Sequence, residues 1–464
     1  MAYFLAIDIG ASGGRHILGS LREGKLELEE VYRFPNGSVQ EGGQLVWDVD
    51  ALFAHILEGM RRCKELGKVP LSVAVDTWAV DFVLLDETGK RLGAAVCYRD
   101  RRTTGADDLV EEKISFPTLY GRTGIQKLIF NTIYQLTALR RDRPELLDGA
   151  KTFLMLPDYF HYRLTGKTVN EYTTATTTAM VGAASKTWDQ ELIQRLDLPR
   201  ELFGDLTMPG TIVGSLTPEI AEQVGYSCNV VLPATHDTAS AFLAAPSKGE
   251  DAIYLSSGTW SLMGVESPVP VISDYSREQN LTNEGGFAYR FRVLKNIAGM
   301  WMLQSVRRET GERYNYAELA RMAQESGPPV AIVDVNDQAF LAPDSMIAAV
   351  KQVAKESGQT EPNSLGQVLQ CIYYSLAKCY ADTAAQLAHA TGREFTTLHI
   401  LGGGSQDRHL NALTAEATGL TVYAGPIEGT AIGNLMVQMM AAGEIDNLET
   451  GRQMVRNSFQ ITKV

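Results

Sequence analysis

What the chain lacks narrows its class before any motif is considered. It has no run of Lys and Arg, and 42 basic residues stand against 55 acidic ones, a formal net charge of −13 at pH 7. Nucleic-acid binders carry a concentrated basic patch, so nucleic acid is not an expected partner. An anionic ligand stays open, because amides of a glycine-rich loop bind phosphate locally against the global charge. No stretch approaches the roughly 18–20 apolar residues of a membrane span. The apolar run Phe4-Leu5-Ala6-Ile7 has no basic region before it, is short for a signal sequence and runs into Asp8. The five cysteines, Cys63, Cys97, Cys228, Cys371 and Cys379, are odd in number, and no two have the two-residue spacing of a zinc or redox motif. Free thiols in a reducing, cytoplasmic setting are the expectation. Low-complexity segments and short-period repeats are missing too.

What remains is ordinary globular composition: 464 residues, 45% hydrophobic and 21% charged, with 42 Gly and 17 Pro. That length suggests about two or three domains. Tyr3 to Ile9, His16 to Leu21 and Lys25 to Phe34 read as a three-stranded meander with a glycine-rich first turn. Helical periodicity covers Val49 to Leu66. A strand at Leu71 to Val75 is expected to form a hairpin with Val80 to Leu85. A second strand, small-residue turn and strand run from Ala252 to Gly264, after the linker-like Ala244-Ala245-Pro246-Ser247-Lys248-Gly249. Two domains, each opening on such a unit, are therefore expected to join near Ala245.

Four segments are candidates for chemistry. Gly10 to Arg15 can form an amide nest for phosphate, or can be an ordinary hairpin turn. It is neither a Walker A loop nor a dinucleotide fingerprint, since no helix follows. Asp8, just before it, would repel a phosphate unless a cation intervened, so Mg2+ held through water is the natural reading. Thr235 to Ala241 places Asp237 at a helix start, where it serves as a base or as a simple cap. Ser256 to Thr259 and Gly402-Gly403-Gly404-Ser405 offer further small-residue turns at strand ends.

Less decisive clusters follow. Asp76 to Asp81 sets two carboxylates around Trp78, a sugar-pocket pattern or plain core. Tyr98 to Thr103 reads as a solvated charged loop, and Asn283-Glu284-Gly285-Gly286 as a turn. The histidines show no metal-ligand spacing; apart from His236 they are expected at the surface or in caps.

In combination these pieces resemble the FGGY carbohydrate kinases. Asp8-Ile9-Gly10, His236-Asp237, Gly258-Thr259 and Gly402-Gly403-Gly404 occur in that family's order. Asp76 to Asp86, Tyr98-Arg99-Asp100, Gly124-Ile125-Gln126, Leu156 to Phe160 and Tyr162 to Lys167 resemble its branch acting on L-rhamnulose. So do Glu171 to Thr178, Thr282 to Gly286 and Val293 to Ile297. The resemblance implies the two-lobed α/β fold of actin, Hsp70 and hexokinase, with an RNase H-like sheet and flanking helices in each domain. Residues 1–245 would bind sugar and carry the phosphate loop and base; residues 246–464 would bind nucleotide. It implies ATP and Mg2+ as cofactors, phosphorylation of L-rhamnulose at its 1-hydroxyl, and a monomer or homodimer. Asp237 would be the base, with His236, Thr238, Asn296 and the backbone at Ala79 holding the sugar. Ala11, Ser12, Gly13, Gly14, Arg15, Thr259, Gln304 and Gly402 would contact ATP, and Asp8 would orient Mg2+.

Ala79 stands where the family usually has Gly, Asp407 where Asn is usual, and Gly429 where Ala is more common. Ala79 leaves open a kinase for another ketose, such as L-fuculose or a ketopentose. An actin- or Hsp70-like ATPase coupled to a protein partner is the remote alternative. A silent sugar-binding regulator would be expected to lose the base, and Asp237 is present.

Overall fold

In the computed structural model, which describes residues 1–464, the opening apolar stretches form the meander read from the sequence. Its strands are β1 (Tyr3–Gly10), β2 (Gly13–Arg22) and β3 (Lys25–Pro35). β1 and β2 pair antiparallel down to Gly10 opposite Gly13, leaving Ala11 and Ser12 as the turn. Helix α1 (Val49–Glu65) starts where the Asp48 side chain accepts from Ala51 N, and it buries Val49, Leu52, Phe53, Ile56, Met60 and Cys63 on one stripe. It returns the chain to β4 (Ser72–Thr77), parallel to β1. With β5 (Ile212–Ser215) and β6 (Asn229–Val231), the sheet runs β5-β6-β4-β1-β2-β3. β1 and β4 are covered on both faces, which is why they read as continuous apolar runs instead of alternating ones. Just past β6 comes α2 (Asp237–Leu243).

The chain divides into two compact units. The first comprises Met1–Ala244, Glu266–Val293 and Thr430–Ser458; the second Ala245–Val265, Leu294–Gly429 and Phe459–Val464. The single junction expected at Ala245 is thus too simple. Glu266 and Arg452 show why: Arg452 Nη2 pairs with Glu266 at 2.9 Å and donates to Phe242 O at 3.0 Å, at the end of α2. Such long-range pairing leaves no local compositional trace.

The second unit repeats the opening pattern. β7 (Ala252–Ser257) pairs antiparallel with β8 (Ser261–Ser267). Helices α3 (Trp301–Glu309) and α4 (Leu365–Thr391) follow, the latter capped by Ser364. β9 (Thr397–Leu401) lies parallel to β7, and β10 (Thr421–Ala424) parallel to β9. Helix α5 (Gly429–Ala441) then returns to the first unit. There Gln438 Nε2 donates to Leu5 O at 3.0 Å and its Oε1 accepts from Ser72 Oγ at 2.6 Å, tying β1 to β4.

Three local expectations change. Phe82–Leu85 does not pair with β4; it joins a separate sheet with Thr152–Met155 and Arg91–Leu92, because Val80, at φ +68°, turns the chain away. Thr282–Gly285 is a buried strand, not a turn. His16, His161 and His399 are buried, contrary to the surface placement expected. No helix is long and apolar enough to cross a membrane.

Gly433 of α5 lies so close to α2 that a Cβ there would fall 1.8 Å from Ser240 O. Gly433→Ala is expected to lose about 1–3 kcal/mol, read as a lowered thermal midpoint. An unchanged midpoint would show that the helices separate at no cost.

Candidate functional site

Parallel pairing brings three carboxylates to one edge of the first unit's sheet. Asp8 and Asp76 stand opposite each other at the carboxyl ends of β1 and β4. One residue on, Thr77 N donates to Thr235 O at 3.0 Å and Thr77 bridges His236, so Asp237 follows at the same edge. Ligands of open α/β sheets bind at this edge, where loops leave the strands. The sequence named Asp8 and Asp237 for this chemistry. It placed Asp76 only in a polar cluster, and the signal for its role is its register with Asp8.

The cluster is electrostatically loaded. Arg15, across the hairpin from Asp8, donates to Asp8 Oδ2 from Nε at 3.2 Å and Nη2 at 3.1 Å. Burial pushes the Asp76 carboxyl well above its usual range, and the Asp8 and Asp237 charges add to this. Asn434 opposes it, donating to Asp76 Oδ2 at 2.5 Å. Asp76 Oδ1 is buried with no partner. Asp237 is also raised, first by burial and then by Asp8, against the lowering effect of His236. Its side chain is nonetheless 32% exposed, open to a ligand. It is not the helix cap: His236 holds that position, and Asp237 Oδ1 accepts only from its neighbour Thr238, from N at 2.5 Å and Oγ1 at 3.0 Å.

No group of three His, Cys, Asp or Glu residues is arranged to cage an ion. Mg2+ keeps waters and takes one or two carboxylates plus phosphates. Asp8 and the orphaned Asp76 Oδ1 fit that requirement. Beside them, Ala11, Ser12, Gly13 and Gly14 form a tight hairpin end pinned by Asn36, whose Nδ2 donates to Gly10 O at 2.8 Å.

Two buried acids hold the loops around Asp237. Glu171, missed by the residue-level reading, is fully buried. It accepts from Thr173 N at 2.8 Å, Thr174 N at 3.1 Å, Thr173 Oγ1 at 2.6 Å and Thr235 Oγ1 at 2.6 Å. It thereby locks the segment leading into His236. Asp81 accepts from the indoles of Trp47 at 2.6 Å and Trp78 at 2.8 Å, and from Gln135 at 3.3 Å. Gln135 and Thr132 also bond Val80 O, at 3.1 and 2.7 Å, fixing the strained residue beside Ala79. Trp78 is therefore core, and Ala79 is the partly exposed position of this loop. Nor is Tyr98–Thr103 a merely solvated loop: Arg102 Nη2 reaches Gln135 Oε1 at 2.5 Å.

In the second unit, the Gly258-Thr259 turn is pinned to the start of α3, with Trp301 N donating to Thr259 O at 3.0 Å. Gln304 lies half-buried on the next turn of that helix. Gly402, at φ +82°, ends β9 against β7, and a Cβ on it would fall 2.9 Å from Ser257 O. Thr259, Gln304 and Gly402 are thus drawn together around the ends of β7 and β9. Asn296 is in this unit too, its Oδ1 buried and unpartnered. Asp407 caps the helix Arg408–Thr418 through Leu410 N at 3.0 Å and accepts from Tyr373 OH at 2.8 Å, which accounts for a carboxylate there.

Comparison with known proteins agrees along the chain. Residues 3–244 match the N-terminal domain model of the FGGY family of carbohydrate kinases, and residues 253–442 its C-terminal domain model. A rhamnulokinase of Halalkalibacterium halodurans is 47% identical, over 100% of this chain and 98% of that protein. One from Bacillus subtilis is 44% identical, over 99% and 94%. Among solved structures, a xylulose kinase from Lactobacillus acidophilus aligns with TM-score 0.79 at 15% identity, over 100% of this chain and 93% of that one. A Plasmodium falciparum glycerol kinase aligns with TM-score 0.77 at 14% identity, over 99% and 94%. The fold is the two-domain α/β fold of these kinases.

Burial pushes the Asp81 carboxyl up to about 6, against the hydrogen bonds of Trp78 and Trp47. A raised acid binds its proton more tightly when folded, so Asp81 favours folding at low pH. That contribution fades as pH rises between about 4 and 6, by about 3 kcal/mol in all. Urea unfolding at pH 4.5 and 7 should therefore show a steeper stability loss in the wild type than in Asp81→Asn. Identical slopes would contradict the assignment.

Proposed function

Because the chain belongs to the FGGY family of carbohydrate kinases, which use ATP with Mg2+, we propose that it phosphorylates L-rhamnulose at O1. The products are L-rhamnulose 1-phosphate and ADP. The sugar assignment rests on the rhamnulokinases that match the chain end to end. The observation that carries the chemistry is Asp237, a partly exposed carboxylate in an otherwise buried acidic cluster.

In this reading Asp237 accepts the proton of the sugar hydroxyl as the phosphoryl group arrives. Phosphoryl transfer demands alignment and charge neutralisation more than covalent chemistry, so a modest base suffices. His236, Thr238, Asn296 and the backbone at Ala79 orient the sugar. Ala11, Ser12, Gly13, Gly14 and Arg15 are assigned to ATP, as are Thr259, Gln304 and Gly402. Mg2+, when bound, would neutralise phosphate charge; Asp8 would hold it through water, and the unpartnered Asp76 Oδ1 is the second candidate to do so. Residues 1–245 hold the sugar side and residues 246–464 the nucleotide side, apart from the segments that return to the first unit. The ligands are small molecules, and the five free cysteines, four of them buried, suit a reducing cytoplasm.

The kinase is expected to release ADP with Mg-ATP and L-rhamnulose, and Asp237→Asn to lower that rate at least about a hundredfold. Sugar-independent ADP release, equal in the two proteins, would overturn the reading. Preference for L-fuculose or a ketopentose would keep the chemistry and move the substrate. Ala79→Gly, which removes the added methyl, would then be the variant that restores L-rhamnulose. Gly402→Val should raise KM for ATP while leaving KM for the sugar unchanged; the reverse pattern would contradict the nucleotide role.

A further inference from the structure

Behind His236 the first unit carries a buried ion pair that the chemistry above does not use. Arg292 is 1% exposed and Glu284 5%. Arg292 Nη2 lies 3.0 Å from His236 Nδ1 and is directed at it as a hydrogen bond. Glu284 Oε2 approaches the same ring nitrogen at 3.2 Å and Arg292 Nη2 at 3.0 Å. Neither approach is aligned as a hydrogen bond, and Oε2 has no hydrogen-bond partner. The guanidinium is itself anchored, with Nε donating to Gly285 O at 3.1 Å. Gly285 in turn is held by its own N–H to Thr176 Oγ1 at 2.8 Å.

A guanidinium has donors and no acceptor, so the nitrogen it addresses must present a lone pair. For a neutral imidazole that places the ring proton on Nε2, which lies 3.4 Å from Asp237 Oδ1. Oδ1 already accepts from Thr238 N and Oγ1. Those two donors leave Oδ2 as the oxygen free to take a proton, and the Nε2–H is not committed to Oδ1 as a hydrogen bond.

We propose that Arg292, held in place by its ion pair with Glu284, is a positioning residue that fixes His236 as its Nε2–H tautomer and so presents that N–H to the sugar beside Asp237. The inference rests on the roles of His236 and Asp237 proposed above. It adds that the imidazole acts as a donor toward the sugar, while its Nδ1 faces protein.

The test uses the full chain labelled with 15N-histidine, with His236→Gln to assign the resonance. In the wild type His236 should show an unprotonated Nδ1 and a protonated Nε2 at neutral pH. Arg292→Lys, which keeps the charge but loses the planar fork, should give a mixed tautomer. KM for the sugar should then rise about tenfold, with KM for ATP within about twofold of wild type. Glu284→Gln keeps the shape of the side chain but removes the charge of its ion pair with Arg292, and should move both readouts less, in the same direction. A wild-type ring protonated on Nδ1 would overturn the proposal without any variant having to fold. So would Arg292→Lys with an unchanged tautomer, or with both KM values raised equally. Failure of the base assignment is a separate result: Asp237→Asn would keep sugar-dependent turnover while the tautomer stood as described.

Discussion

Three carboxylates at the ends of parallel strands set the terms for the rest of the first unit. Asp8 and Asp76 are level with each other because β1 and β4 are parallel and in register. Asp237 follows just past them because the strand end at Thr235 continues the same ladder. Like charges that raise one another at a largely buried edge are costly, and each is therefore answered. Arg15 addresses Asp8, Asn434 addresses Asp76, and His236 stands beside Asp237. The answer is incomplete: Asp76 keeps an orphaned oxygen, and both Asp76 and Asp237 remain raised. A divalent cation with its phosphates is the kind of ligand that relieves this charge, which links the fold's register to its chemistry.

A second set of acids spends its hydrogen-bonding capacity on loops instead of ligands. Glu171 gathers donors from Thr173, Thr174 and Thr235, and Asp81 gathers two indoles and an amide. Each carboxyl is fully enclosed and each fixes one segment of the proposed sugar site, the His236 approach or the Ala79 turn. Buried polar groups of this sort are tolerable because they are satisfied, and satisfied networks hold a loop in one geometry. The positive φ of Val80 persists for the same reason, with its carbonyl bonded twice.

Much of this was legible in the sequence where the signal is local. The meander of β1 to β3, helix α1 and the second strand–turn–strand at β7 and β8 follow from apolar runs and small-residue turns. Asp8 stood out because a carboxylate before a phosphate-type loop calls for a cation, whereas Asp237 at a helix start read equally as a cap and was singled out by the family resemblance. Contacts across long sequence separations were not legible. Nothing near Arg452 announces that it meets Glu266, and nothing near Asn283 announces a buried strand. Glu284 read as part of a turn, although its strand delivers it to His236. Asp76 gained its place from pairing register, and Glu171 from joining its neighbours Thr173 and Thr174 to the distant Thr235. Both facts belong to the sheet and not to any window of sequence.

The central claim is that Asp237 meets the hydroxyl that receives the phosphoryl group. A crystal structure of the protein with L-rhamnulose, Mg2+ and a non-hydrolysable ATP analogue tests it most directly. The account predicts the sugar O1 within about 3.2 Å of the Asp237 carboxylate. An O1 turned away from Asp237 and hydrogen-bonded to a different side chain would contradict it.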